Sequence, residues 1–153
     1  MNNYFEKDGI HARIVARAII KDTSGGYLFE RRPSNANLAP NVLQLFGGKI
    51  DPEDESVVLG LKRELQEELM INSDQITVVE QVGAELSSDG LWLTYFFLVS
   101  LADEVLDQLA QVDNLEVFDR NQLEIESRSI TDEDKGGDIG LDHGNVILEN
   151  LLS

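Results

Sequence analysis

Three glutamates stand close together in the stretch RELQEEL, Glu64, Glu67 and Glu68, beside a single arginine, Arg63. On a helix these positions are i, i+3 and i+4, so the three carboxylates share one face. Like charges at that spacing cost a helix roughly a few tenths of a kcal/mol. A divalent cation bound among them would reverse the penalty, and clustered carboxylate oxygens suit Mg²⁺ or Mn²⁺. A solvated acidic face is the other reading, and the residues alone leave both open. Gly47 and Gly48 lie upstream, where they would let the backbone turn tightly beside a metal.

The acids need a helix to carry them. Val58, Leu61, Leu65 and Leu69 recur at helical spacing and form an apolar stripe. The three glutamates sit about a quarter-turn from it, at the edge of the buried side. Glu53, Asp54 and Glu55 crowd the start of the segment, where the helix dipole favours negative charge.

Before this helix, HARIVARAIIKD and YLFERR read as strands joined by the turn TSGG, and PSNANLAPN as a loop leading to the short strand VLQLF. After it, ITVVEQVGAELSS and LWLTYFFLVSL read as strands of a hairpin turning at Asp89-Gly90. DEVLDQLAQV is a short helix or a loop, and LEVFD a strand. EIESRSITDEDKGGDIG reads as a mobile polar loop, and DHGNVILENLL as a closing helix with Asp142 as its N-cap. His143 is expected at the surface, and His11 and Trp92 on strand surfaces or in the core. The order implies an α/β fold, one mixed β-sheet flanked by helices.

Length and charge narrow the chemistry. The 153 residues suit one domain with its own core. The chain has no cysteine, which removes thiol catalysis, disulfides and zinc–thiolate sites. No apolar run is long enough to span a bilayer, and the N-terminus lacks a signal pattern, so a cytoplasmic protein is expected. The net charge of −17 argues against nucleic-acid polymers and membranes as partners. It would also repel a phosphate-bearing small molecule unless bound cations intervene.

The spacing of Gly48, Glu55, Arg63-Glu64-Leu65 and Glu67-Glu68 resembles the signature of the Nudix hydrolases. Two departures stand out. Six residues, KIDPED, separate Gly48 from Glu55 where the pattern has five, and Met70 occupies the position of a glycine. YLFERRPSNANLAPNVLQLFGGKI is similar to the matching stretch of MutT-type members, which hydrolyse oxidised nucleoside triphosphates, although Phe46 stands where those usually have proline.

The resemblance implies a single Nudix domain over residues 1–153, an α/β/α sandwich that cleaves a nucleoside diphosphate linked to another group. It implies Mg²⁺, with Mn²⁺ as an alternative, held by Glu64, Glu67, Glu68 and Gly48. Arg63 would orient the glutamates; its plainer reading is a surface pair with Glu67. The general base would be either a motif glutamate such as Glu67 or a glutamate of a later loop, for which Glu116 is the candidate, also as a further metal ligand. Arg32, Gly47, Gly48, Lys49 and Asn145 are the candidate substrate contacts. A small nucleotide is the expected partner, and a homodimer is compatible because many relatives are dimers. Nucleoside triphosphates are favoured as substrates over ADP-ribose, nucleotide sugars or dinucleoside polyphosphates. A catalytically silent nucleotide-binding domain is the rival from another class, disfavoured because Arg63, Glu64, Glu67 and Glu68 are all present.

Overall fold

β-branched and small residues alternate along Ile10–Ile20, and this eleven-residue strand (β2) becomes the spine of the molecule. Ile14, Ala16, Ala18 and Ile20 face one apolar cluster, while Ile19 faces a second on the other side. Both faces of β2 are therefore buried, and its neighbours must be strands. In the computed structural model these are β1 (Tyr4–Lys7) and β5 (Phe46–Lys49), both antiparallel to it, and β7 (Trp92–Leu101), parallel to it. β6 (Ile76–Leu86) pairs antiparallel with β7, with register shifts between Val78 and Glu80 and between Gln81 and Gly83. The structure describes residues 4–7, 10–35, 43–87, 89–109, 115–122, 125 and 143–151.

The remaining strands do not join this mixed sheet. β3 (Tyr27–Arg31) lies between β4 (Leu43–Gln44) and β8 (Leu115–Phe118) in a separate antiparallel sheet. The single sheet expected from the sequence is thus two sheets. The chain crosses from one to the other at Leu45, between β4 and β5.

Helices cover both sides. α1 (Val57–Leu69) and α2 (Asp103–Leu109) pack Leu61, Leu65, Val105 and Leu109 into the first cluster. α3 (His143–Asn150) packs Ile147 into the second. Burying Leu61 and Leu65 fully contributes about 1.5–3 kcal/mol each, and this anchors the acid-bearing helix to the sheet. The result is an α/β/α sandwich, as the resemblance implied. Among the described residues no helix is long and apolar enough to cross a membrane.

Several local expectations change. Val58 is 37% exposed, so the buried stripe of α1 begins at Gly60 and Leu61. Ser56 caps the helix, its Oγ accepting from the Leu59 amide at 3.1 Å. Glu53, Asp54 and Glu55 precede that cap and lie outside the first turn. Met70 ends α1 with φ 56° and ψ 44°, a left-handed conformation that glycine would adopt without steric cost. The ambiguous segment after β7 is helical over Asp103–Leu109. Asp142 and most of the polar loop before it lie outside the described residues.

Candidate active site

Strand β5 carries Gly47, Gly48 and Lys49 along an outer edge, since among the described residues it pairs only with β2. Gly47 has φ 139°, and a Cβ there would stand 2.0 Å from the Ala16 carbonyl oxygen, so only glycine fits. A Cβ on Gly48 would meet the carboxylate of Glu64 at 2.5 Å to its carbon and 2.6 Å to one oxygen. The bare backbone of Gly48 therefore forms a cradle for Glu64. Glu68, one turn further along α1, has the Gly47 backbone near enough to favour its charged form. The two acids thus lie against consecutive peptide units.

Arg63 holds this arrangement from the other flank. Its Nε donates to Asp54 Oδ1 at 2.9 Å and its Nη2 to Asp54 Oδ2 at 3.0 Å, a two-pronged pair. Nη1 donates to Glu64 at 3.2 Å and to Glu67 at 3.3 Å, and Nη2 to the Lys49 carbonyl at 3.3 Å. Asp51 joins at 3.2 Å. One guanidinium thus ties the loop before α1, the helix acids and the end of β5 together.

Asp54 is the residue the sequence reading underrated. It is 8% exposed and also accepts from the Asp51 amide at 2.8 Å. A Cβ on Gly60 would approach its Oδ2 to 2.8 Å, so the helix surface is left open there for the carboxylate. Glu55, expected from counting back from Arg63, is exposed. Leaving five residues after Gly48, as the pattern does, lands on Asp54 instead. The extra residue of the loop thus falls between Asp54 and the helix. The signal was present in the spacing, with an aspartate in place of the patterned glutamate.

The electrostatics match the geometry. Hydrogen bonding to Arg63 holds the Asp54 carboxyl below its ordinary range, and the Asp54 bond in turn raises Arg63. Desolvation raises Glu64, with Arg63 opposing. Glu68 lines a recess of about 450 Å³ together with Glu30, Phe46 and Leu109. It is exposed on the open side of that recess. Desolvation pushes its carboxyl up to about 8, against the pull of Arg17 and with Glu30 and Glu64 adding repulsion. Negative charge is in excess here and a cation would relieve it.

These residues fit a divalent metal. Among the described residues no three carboxylate or imidazole groups converge into a complete cage. Mg²⁺ is ordinarily bound through one or two carboxylates, waters and substrate phosphates, so the cradled acids beside the Gly48 backbone are a suitable donor set.

Other candidates lie elsewhere. Glu116 stands opposite Phe29 in the β3–β8 register, whereas Glu30, beside Glu68, stands opposite Leu115. Strand alternation turns Glu116 to the sheet face away from Glu30, where it pairs with Arg31, Nη2 to Oε1 at 3.2 Å. The structure does not bring it to the helix acids. Arg32 follows β3 and is half-buried. Asn145 lies in α3, with its side chain outside the described set. His143 corrects the expectation of a surface residue. It is 1% exposed, its Nδ1 accepts from the Leu45 amide at 2.9 Å, and its ring stands edge-on to Phe96. Burial holds its pKa well below the ordinary value, so the ring is neutral. Arg17 Nη1 donates to the Leu45 carbonyl at 3.2 Å. The crossing point between the sheets is thus pinned at both its amide and its carbonyl, two residues before Gly47.

Comparison with known proteins agrees with this geometry. The family model described as NUDIX domain matches residues 11–135. A mutT/nudix family protein from Listeria innocua superposes with a TM-score of 0.63 at 19% identity, covering 91% of this chain and 93% of that one. The MutT protein from Methanosarcina mazei Go1 gives 0.52 at 19% identity, over 72% and 78%. An Ap4A hydrolase from C. elegans gives 0.54 at 20% identity, over 76% and 85%. No curated protein matches the sequence.

Proposed function

The chain belongs to the NUDIX-domain family and is a Nudix hydrolase, and on that premise we propose that it is a Mg²⁺-dependent pyrophosphohydrolase of nucleoside triphosphates. The family acts on small nucleotide-linked substrates and generally uses divalent metal ions. The observation that carries the reading is the cradling of Glu64 and Glu68 on Gly47-Gly48, with Arg63 locking the flank.

In this reading Glu64, Glu68 and the Gly48 carbonyl hold the cation, with Glu67 at its exposed side. Bound there, it would neutralise charge on the diphosphate and acidify water. Glu67 is 61% exposed and hydrogen-bonded to Arg63, so it reaches solvent while its direction is fixed. We give it the part of proton acceptor from the attacking water. Arg63 keeps Glu64 and Glu67 in place and does not meet the substrate. Glu116, on the opposite face and paired with Arg31, is left out of the metal set.

Phosphate or pyrophosphate release across a panel of triphosphates, dinucleoside polyphosphates, nucleotide sugars and ADP-ribose, with and without Mg²⁺, tests this. Glu64→Gln and Glu67→Gln should each lose roughly a hundredfold or more in kcat with the fold retained by circular dichroism. Absence of metal-dependent turnover on every substrate would overturn the reading in favour of a binding module.

A further inference from the structure

The recess beside the metal acids has two kinds of wall. Phe46, Leu109 and Leu115 give it apolar sides, while Glu30, Glu68 and Gln108 supply its polar groups. Among the described residues no lysine or arginine lines it. A phosphate would meet two carboxylates and no cation there, so the charged part of a substrate stays with the metal. What enters is an uncharged, largely apolar group, and about 450 Å³ is room of the size that ligand pockets offer.

Glu30 is the acid in this recess that the metal reading leaves unused. It stands on β3 on the same face as Leu28, which packs into the cluster beneath α1 and α2. Among the described residues its carboxylate meets repulsion from Glu68 and neither a hydrogen-bond donor nor a cation. Gln44 lies opposite Glu30 in the β3–β4 ladder, on the same face, and its Oε1 is buried with no hydrogen-bond partner among the described residues. Two adjacent acceptors thus lack a donor. An ionised carboxylate can only accept, and partly removing it from water without a donor is costly.

A nucleobase with an amino group answers both walls at once. Its flat faces pack on Phe46 and the leucines, and the N–H at its edge donates to the carboxylate. Resting on the hydrolase reading above, we infer that this recess takes the nucleobase and that Glu30 selects bases carrying an exocyclic amino group. The metal gives nothing of this selectivity, because it meets the diphosphate common to every substrate.

Two pairs of triphosphates test it, because within each pair one amino group is replaced by hydrogen. GTP carries a 2-amino group that ITP lacks, and ATP a 6-amino group that purine riboside triphosphate lacks. In Mg²⁺ the amino-bearing member of at least one pair should have a kcat/KM about tenfold or more above its partner. Glu30→Leu should bring that pair to within about threefold of each other, with the fold retained by circular dichroism. Glu30→Gln keeps an acceptor oxygen without the charge and should keep part of the ratio. Calorimetric titration with the matching monophosphates, without metal, reads the recess apart from turnover and should give the same ranking. Metal-dependent turnover with both pairs level, or a preference unchanged in Glu30→Leu, would overturn the inference and leave the hydrolase reading standing. So would a Glu30→Leu effect that follows the ribose 2′-hydroxyl, GTP against dGTP, and ignores the amino group. Absent turnover with the monophosphate ranking retained would overturn the hydrolase reading and leave the base recess standing; loss of both would overturn both.

Discussion

Two arginine–carboxylate groups flank the strands of this protein and behave differently. Arg63 serves Asp54, Asp51, Glu64 and Glu67 at once, and Glu68 adds its charge next to Glu64. Among the described residues Arg31 is paired with Glu116. In the first group acids outnumber the cation; desolvation raises Glu64 and Glu68, neighbouring carboxylates add to it, and the cluster is short of positive charge. In the second a single described carboxylate meets the guanidinium. The same residue types therefore make a site that asks for a metal on one face and a plain ion pair on another. What separates them is stoichiometry and the glycine backbone beneath the first group.

The largest effect expected within this contrast concerns Asp54. It is buried and doubly bonded to Arg63, and removing its charge leaves the guanidinium without its main partner. Asp54→Asn should cost about 2–3 kcal/mol in urea denaturation, somewhat below the figure for a fully buried pair because Arg63 is partly open. It should also weaken Mg²⁺ dependence, since Arg63 no longer fixes Glu64. Glu55→Gln, one residue along and exposed, should stay within about 0.5 kcal/mol. A reversal of these two results would return the role to Glu55.

Legibility followed burial and spacing. α1 was readable because Leu61 and Leu65 recur at 3.6-residue intervals and are buried in the first cluster. β2 and β7 were readable from β-branched runs. The division into two sheets was not, because it depends on Leu45, whose backbone is pinned by His143 and Arg17, 98 and 28 positions away in sequence. The same distance hid His143: nothing near it in the chain shows that Leu45 and Phe96 would enclose it. β1 was missed because its pairing to β2 is set by register, with no strong pattern of its own. The acid cluster was visible as a motif, but the choice between Asp54 and Glu55 needed the contact with Gly60.

A smaller effect appears with pH in the metal-free protein. Glu68 is raised from an ordinary 4.5 to about 8, so between those values the folded chain holds a proton that the unfolded chain has released. Its contribution to stability is full below about 4.5 and is lost as pH rises through about 8. Asp54 works in the other direction. Its carboxyl is held below 3.8, so its contribution is present above that value and lost on acidification. Denaturant midpoints measured from pH 5 to 9 should fall with pH in EDTA, and Glu68→Gln should flatten the slope. Saturating Mg²⁺ should also flatten it, because a bound cation keeps Glu68 ionised, and binding at pH 7 should release a proton measurable by calorimetry in two buffers. A flat profile in EDTA would mean that Glu68 is solvated like an ordinary surface acid, and the contrast between the two groups would shrink.

The smallest effect belongs to the Arg31–Glu116 pair. Arg31 and Glu116 are 32% and 37% exposed, a range in which an ion pair contributes about 0–1 kcal/mol. Glu116→Gln should therefore lower stability by no more than that and change kcat by less than about threefold. Arg31→Gln breaks the same bond and should cost at least as much. The outcome that breaks the comparison is specific. If Glu116→Gln alone lost Mg²⁺ affinity and activity while Arg31→Gln kept both, the carboxylate would have to leave Arg31 and join the helix acids during turnover. Strand alternation forbids that with β8 in its present register against β3. Joining them would require the Glu116 segment to twist or slip by one residue. Loss in both variants would place the pair itself in the site, with Arg31 as its anchor.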